Sequence, residues 1–344
     1  MSADGAGVTR ERLYGMMQAY KTTSLLRTGV EVGVFDSLGA GPADADTLAV
    51  RLGAHPRGVR ILLNALAALE LLETDGDRFL LSPGAERHLV GSGPAYLGDM
   101  VRLIASDWEW DALKRLPEAV RRGGTVMDVH AETPGYAYWE DFASFATAVA
   151  TPTAEVAAEA LRPWAEDRPT LDVLDVACGH GIYGFMLARR FAQAQVWALD
   201  WPNVLTVTER HAERLGVPDR AYFIAGDMFE VPLGGPYDVV VVANVLHHFS
   251  EERATDLLGR LRAVMKTDGR LVVVGFTLGD QPPAEDPDPH LFSVLMLVWT
   301  HEGEVHSEAT YRRMLGTSGF VRTTVHEVDG LPLRVLTAER AGID

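Results

Sequence analysis

Ten residues, Asp175-Val176-Ala177-Cys178-Gly179-His180-Gly181-Ile182-Tyr183-Gly184, follow an apolar run and lead into an amphipathic one. Glycines at such a junction let the backbone approach a ligand and leave helix N–H groups free to bind it. Two further acids stand at matching points downstream, Asp200 in Ala198-Leu199-Asp200-Trp201 and Asp227 in Gly226-Asp227-Met228-Phe229. A histidine pair, His247-His248, follows the apolar run YDVVVVAN of residues 237–244. An imidazole with a pKa near neutrality suits deprotonation of a phenol or an enol.

Taken literally, Gly179-x-Gly181-x-x-Gly184 matches a dinucleotide-binding fingerprint, with Asp200 as its ribose acid. The flanks point elsewhere. Asp175 lies inside the preceding strand, where a carboxylate would repel a pyrophosphate but attract a cation. The alternative for Asp175 is a structural role, holding the glycine loop. Asp200 can take both hydroxyls of a ribose. Asp227 ends the next strand. Acids at successive strand ends suit a ligand with a ribose, an adenine amine and a positive centre but no phosphate. S-adenosylmethionine is such a ligand.

The elements that must hold these residues alternate. Strands are expected at residues 171–177, 194–200, 221–225, 237–244 and 270–276, with helices at 182–191, 204–215, 251–265 and 310–318. A turn is expected at 266–269, and a closing antiparallel pair at 321–327 and 333–338. This is an α/β pattern, a Rossmann-like, mostly parallel sheet with ligands at the carboxyl ends of its strands. The first half is mainly helical. An amphipathic stretch at 12–28, a helix from Asp46 to Gly53, a helix beginning at Pro56 and a hairpin turning at Asp75-Gly76 form a winged-helix pattern. Its two readings are DNA binding and dimerisation. No basic helix is visible between Pro56 and Leu72, which favours dimerisation.

VLDVACGHG, ALDWPNVL, GDMFEVP and YDVVVVANVLHHFSEE, in that order, resemble the small-molecule O-methyltransferases of the plant caffeate and acetylserotonin type. The bacterial branch that tailors polyketides and other natural products is the most similar. The resemblance spans nearly the whole chain. It implies a class I methyltransferase fold with a seven-stranded sheet over residues 165–344 and a winged-helix dimerisation domain over 1–164 that closes one wall of the pocket. It also implies S-adenosylmethionine as cofactor, S-adenosylhomocysteine as product, and a homodimer. By the same resemblance Gly179 and Gly181 lie against the methionine part of the cofactor and Asp200 binds the ribose. Trp201 lies against the adenine, Asp227 and Met228-Phe229 lie around it, and Asn244 makes a polar contact.

His247 matches the family's general base. His248 and Phe249 replace the family's Asp and Trp. The acids that orient the base in plant members fall on Gly275 and near Val305, with Glu302 and Glu304 close but out of register. The base-plus-acid pair is therefore incomplete, and three alternatives stay open. The first is methylation by proximity and desolvation alone. The second is methylation at carbon or nitrogen. The third is a non-methylating reaction such as hydroxylation, decarboxylation or ring rearrangement. In the family the helix that holds Met296 and Trp299 lines the acceptor pocket, and His248, His290 and Trp108 are further candidates for acceptor contact. Convergence of His247, His248, His290, His301 and His306 on a metal is the weaker reading, and no metal is assigned.

Length and charge bound the rest. The 344 residues suggest two domains, at about 150 residues each. Net charge is −17, which argues against nucleic acid or an anionic membrane as partner, and against a winged-helix regulator. One cysteine, Cys178, excludes an intrachain disulfide. That, with a polar, Gly-rich segment from Met1 to Arg12 and no apolar run of membrane-spanning length, leads to the expectation of a cytoplasmic enzyme.

Overall fold

The computed structural model describes residues 8–93 and 95–342. The first seven residues of the polar N-terminal segment lie outside the described residues. The chain divides into two compact units, Met1–Asp107 and Trp108–Asp344.

The first unit opens with α1 (Arg10–Val32), capped by Thr9 and ended by Gly33 in the left-handed region at φ 83°. There follow α2 (Val34–Gly39), the short β1 (Ala43–Asp44), α3 (Ala45–Leu52) and α4 (Pro56–Ala68). Asp44 caps α3 by accepting from the Thr47 N–H, and Gly53 ends it at φ 61°. Leu72 leaves the helical pattern and opens β2 (Leu72–Asp75), which pairs antiparallel with β3 (Arg78–Leu81). β1 joins β3 on its other side, and α5 (Pro83–Leu89) and α6 (Gly98–Ile104) complete the unit. Val34, Phe35, Leu38, Leu48, Leu63 and Leu66 form its buried core. This is the expected winged-helix order.

The boundary expected near Trp164 is not where the chain divides. After α7 (Asp107–Lys114), the helices α8 (Leu116–Arg122), α9 (Tyr138–Phe145) and α10 (Thr147–Ala165) belong to the second unit. The reason lies in α10, which buries Ala150, Ala154, Ala157, Ala158 and Leu161 in the core beneath the large sheet.

That sheet has seven strands. In chain order they are β4 (Leu171–Val176), β5 (Ala194–Asp200), β6 (Ala221–Ala225), β7 (Tyr237–Ala243), β8 (Met265–Phe276), β9 (Phe320–Glu327) and β10 (Leu333–Arg340). Their spatial order is β6-β5-β4-β7-β8-β10-β9, parallel except for β10 against its two neighbours. α11 (Ile182–Arg190), α12 (Pro202–Arg214) and α13 (Glu251–Ala263) provide crossovers, and α14 (Asp288–Trp299) and α15 (Glu308–Thr317) precede the closing pair. Strand order reverses between β4 and β7, the switch point at which doubly wound sheets bind ligands.

The turn expected at 266–269 is strand. β8 begins at Met265, and a register shift sets Tyr237 opposite Met265 and Val239 opposite Arg270. The fully buried Asp238 explains the local geometry. It accepts from Lys266 Nζ at 2.7 Å, Arg168 Nη2 at 2.7 Å and the Asp172 N–H at 2.8 Å. A buried carboxylate needs such partners, and they hold Lys266 against the sheet.

Candidate active site

The glycine loop leaves β4 with Ala177 at φ 50°, then turns through Gly179 at φ 54° and Gly181 at φ 69°. A β-carbon on Gly181 would stand 2.4 Å from the Phe185 ring and 2.8 Å from Thr208, so both backbone and space require glycine there. The loop is tied on three sides. Gly179 N–H donates to Asp200 Oδ2 at 2.8 Å. Thr208 Oγ1 donates to the Gly179 carbonyl at 2.6 Å. Gly184 N–H donates to Asp175 Oδ2 at 2.9 Å.

Above the carboxyl ends of β4, β5 and β7 lies an open cleft. Gly179, Asp200, Trp201, Asp227, Met228, Phe229, Asn244 and His248 all line it. Asp200 also accepts from the Trp201 N–H at 2.7 Å, so both oxygens are fixed in direction. Burial raises its pKa to about 6, against the pull of those two N–H groups. Asp227 is held by the Phe229 N–H at 2.8 Å. Asn244, at φ 56°, points its side-chain amide at Tyr183 Oη, 3.5 Å away. Facing these residues are Trp139 and Phe142, one helical turn apart on α9.

Asp175 and Gly181 do not line the cleft. Asp175 is fully buried beneath the loop, and its Oδ1 has no partner. Burial raises its pKa to about 7. Its position fits the structural alternative, a carboxylate that anchors the start of α11.

The histidines follow β7 in a short 3-10 turn, Leu246–His248. His248 reaches the cleft wall, with its ring 5.3 Å from Trp139, and burial lowers its pKa to about 4. His247 lies behind it, 1% exposed, with the Phe292 ring edge-on at 4.9 Å. Burial, with the neighbouring His248 and His306, lowers its pKa well below the usual value, so it is neutral at pH 7. Its Nδ1 is buried without a hydrogen-bond partner. The His306 ring nitrogen Nε2 lies 3.1 Å from the Phe249 carbonyl, a contact that fixes the end of the turn. Gly303 fits against the same turn, for a β-carbon there would meet the His247 carbonyl at 2.6 Å.

Residues 142–321 match the O-methyltransferase domain family and residues 14–91 match the O-methyltransferase dimerisation domain. The chain belongs to the O-methyltransferase family. Its sheet and helices are those of a class I methyltransferase, and a member of this family draws its methyl group from S-adenosylmethionine. The tetracenomycin polyketide synthesis 8-O-methyl transferase of Streptomyces glaucescens is 31% identical over 316 residues, covering 90% of this chain and 91% of the other. Acetylserotonin O-methyltransferase of Mus musculus is 27% identical over 347 residues, covering 96% and 88%. A crystal structure of a Nostoc punctiforme protein classed with the O-methyltransferases superposes with a TM-score of 0.89 at 26% identity, covering 96% and 99%.

In this methyltransferase the proposed acceptor helix turns its large side chains inward. Met296 and Trp299 are buried, and Trp299 meets Tyr138 edge-on at 4.5 Å. His290 is half-buried on the same helix and does not line the cleft. Trp108 lies outside the cleft as well, donating to Asp141 Oδ2 at 3.3 Å with its ring against Tyr136. The five histidines do not converge. His306 is engaged with Phe249, and His301 pairs with Glu132. The orienting acids of the plant pattern have no substitute, for Val305 is buried and Glu302 and Glu304 are exposed.

Sequence reading missed Trp139, Phe142, Glu132 and Arg253, all on the cleft wall. The expected wall from the first 164 residues does exist, but Trp139 and Phe142 supply it from within the second unit. The aromatic run Tyr136, Tyr138, Trp139 and Phe142 was the available signal.

Proposed function

We propose that this methyltransferase moves a methyl group from S-adenosylmethionine to a hydroxyl of a small aromatic or enolic natural product. The observation that carries the reading is the meeting of Asp200, Asp227, Asn244 and His248 in one cleft at the sheet's switch point. The relatives add the substrate class, since one acts in polyketide synthesis and another is named for acetylserotonin.

The donor set fits the cofactor. Asp200 offers two acceptor oxygens already aimed by backbone N–H groups, as a ribose diol needs. Gly179 leaves the loop without a side chain, with Phe142 3.6 Å from where a β-carbon would stand. Trp201, Met228 and Phe229 give apolar faces for an adenine, with Asp227 beside them for its amine. When bound, the cofactor supplies an electrophilic methyl carbon on a sulfonium.

The chain's own residues do the remaining work. His247, packed behind the cleft-lining His248 and neutral at neutral pH, is the base that the resemblance assigns, and it accepts the proton of the acceptor hydroxyl once the acceptor reaches past the His248 ring. The aromatic wall of Trp139 and Phe142 excludes water and holds a flat acceptor in line. His248 contacts the acceptor from the cleft side. The dimerisation domain at 14–91 pairs two chains, and the single buried cysteine suits a reducing cytoplasm.

The test is a mass-shift screen. Purified protein, S-adenosylmethionine and a panel of phenolic and polyketide-like acceptors are incubated, and products one methylene heavier are sought. Calorimetry with S-adenosylhomocysteine runs in parallel. No binding at submillimolar concentration would end the cofactor assignment. Binding without any methylated product would instead favour the non-methylating chemistry.

A further inference from the structure

A second constellation lies at the rim of the cleft and serves none of the steps above. His130 and Glu132 sit in the loop between α8 and α9, and His301 comes just after Thr300, the cap that ends α14. One side-chain donor atom from each lies within 4.8 Å of those of the other two. Among the described residues no other group of three such side chains converges in this way.

The two segments are bound together by main chain before any side chain is considered. Thr125 N–H donates to the Thr300 carbonyl at 2.8 Å, and Ala131 N–H to the Trp299 carbonyl at 3.1 Å. Gly124 permits the approach, since a β-carbon there would lie 2.4 Å from the His301 carbonyl. Glu132 Oε1 accepts from the His301 N–H at 2.7 Å and lies 3.2 Å from His301 Nδ1. His130 Nδ1 accepts from the Glu132 N–H at 3.3 Å, which fixes that ring and leaves Nε2 for another partner. The two imidazoles meet edge to face at 4.6 Å.

We propose that His130, Glu132 and His301 form a site for a borderline divalent cation, for which Zn²⁺ is the probe. Two imidazoles and a carboxylate are a common three-ligand set for zinc, with a fourth position left to water or an oxygen ligand. Tetrahedral binding needs donors roughly 3–3.5 Å apart. The exposed His301 side chain is free to turn by that much, while Glu132, 12% exposed, is held. One cation already competes. Arg253 Nη1 stands 3.6 Å from Glu132 Oε2 and would give way. Because Glu132 and Arg253 both line the cleft, the ion would sit beside whatever occupies it.

The experiment uses tag-free, chelator-treated full-length protein titrated calorimetrically with ZnCl₂. The expected result is one ion per chain in the tightest class of sites. His301→Ala and His130→Ala should each weaken that class by at least about tenfold. The melting midpoint should rise with Zn²⁺ in the parent and stay fixed in His301→Ala, a variant at an exposed position. Co²⁺ should give ligand-field bands in the parent that are lost in both variants. Unchanged affinity in both variants, or no binding below millimolar Zn²⁺, overturns the proposal. It does not depend on the methyltransferase reading, and neither result bears on cofactor binding.

Discussion

His247 Nδ1 lies 3.5 Å from the point where a β-carbon on Gly275 would stand, with Tyr311 Oη 3.6 Å from the same point. The missing side chain and the unpartnered nitrogen therefore face each other. In the resembled plant enzymes an acid at this place orients the base. Here the imidazole is held by packing and by its turn.

This relationship gives the first prediction. Space exists at Gly275 for a β-carbon at ordinary contact distance, so Gly275→Ala should fold with near-parent stability. Gly275→Asp should place a carboxylate beside His247 and raise its pKa. The acidic limb of kcat/KM against pH should then move upward by about one unit or more. His247→Ala should cost roughly 10²–10⁴ in kcat while S-adenosylhomocysteine affinity changes less than about twofold. A loss within a few-fold would remove His247 as the base.

Cofactor affinity should depend on Asp200 through pH. Burial pushes its carboxyl up to about 6, and ribose hydroxyls favour the charged form. Affinity for S-adenosylhomocysteine should be flat above pH 7 and fall by up to about tenfold per unit below 6. Asp200→Asn should bind about 10–100-fold more weakly and lose the slope. Calorimetry between pH 5 and 8 reads both, and a parent profile without a slope contradicts the assignment.

Asp175 should set part of the pH dependence of stability. Its pKa is raised to about 7 by burial, so the folded state holds a proton between about pH 4 and 7 that the unfolded chain has released. Stability from this group is thus present below the unfolded pKa and is lost as pH rises through the folded one. The slope is at most about 1.4 kcal/mol per unit. Asp175→Asn keeps an acceptor for the Gly184 N–H and should remove that slope. Urea unfolding of both proteins at pH 5 and pH 8 checks it.

Cys178 should behave as a burial reporter. It is 4% exposed, and burial with the nearby Asp200 and Asp175 charges pushes its pKa well up. A thiol so placed reacts slowly. Modification by an aromatic disulfide reagent should track unfolding, and S-adenosylhomocysteine should slow it further. Rapid reaction in the native protein would show that the loop opens.

The alternation of short apolar runs with amphipathic stretches, the glycine loop and the acids at strand ends were all legible in the chain, because each is written within a few residues. So was the stop of α3 at Gly53, although its cap is Asp44 and not the expected start at Asp46. What local pattern cannot encode is facing. β4 is central and buried on both sides from Val173 to Val176, so alternation there does not say whether Asp175 points at a ligand or beneath the loop. Tertiary packing turned it beneath the loop and left Asp200, though largely buried, on the cleft wall. The same holds for wall and boundary. Residues 108–164 read as part of a helical first half, yet α10 gains its burial from the large sheet, which carries Trp139 and Phe142 to the cleft. Glu132 and His301 stand 169 positions apart, and only the pinned loops bring them within hydrogen-bonding distance. Helical and strand periods fix which residues share an element. Contacts between distant segments follow from how those elements exclude water together, and no single stretch of sequence contains that.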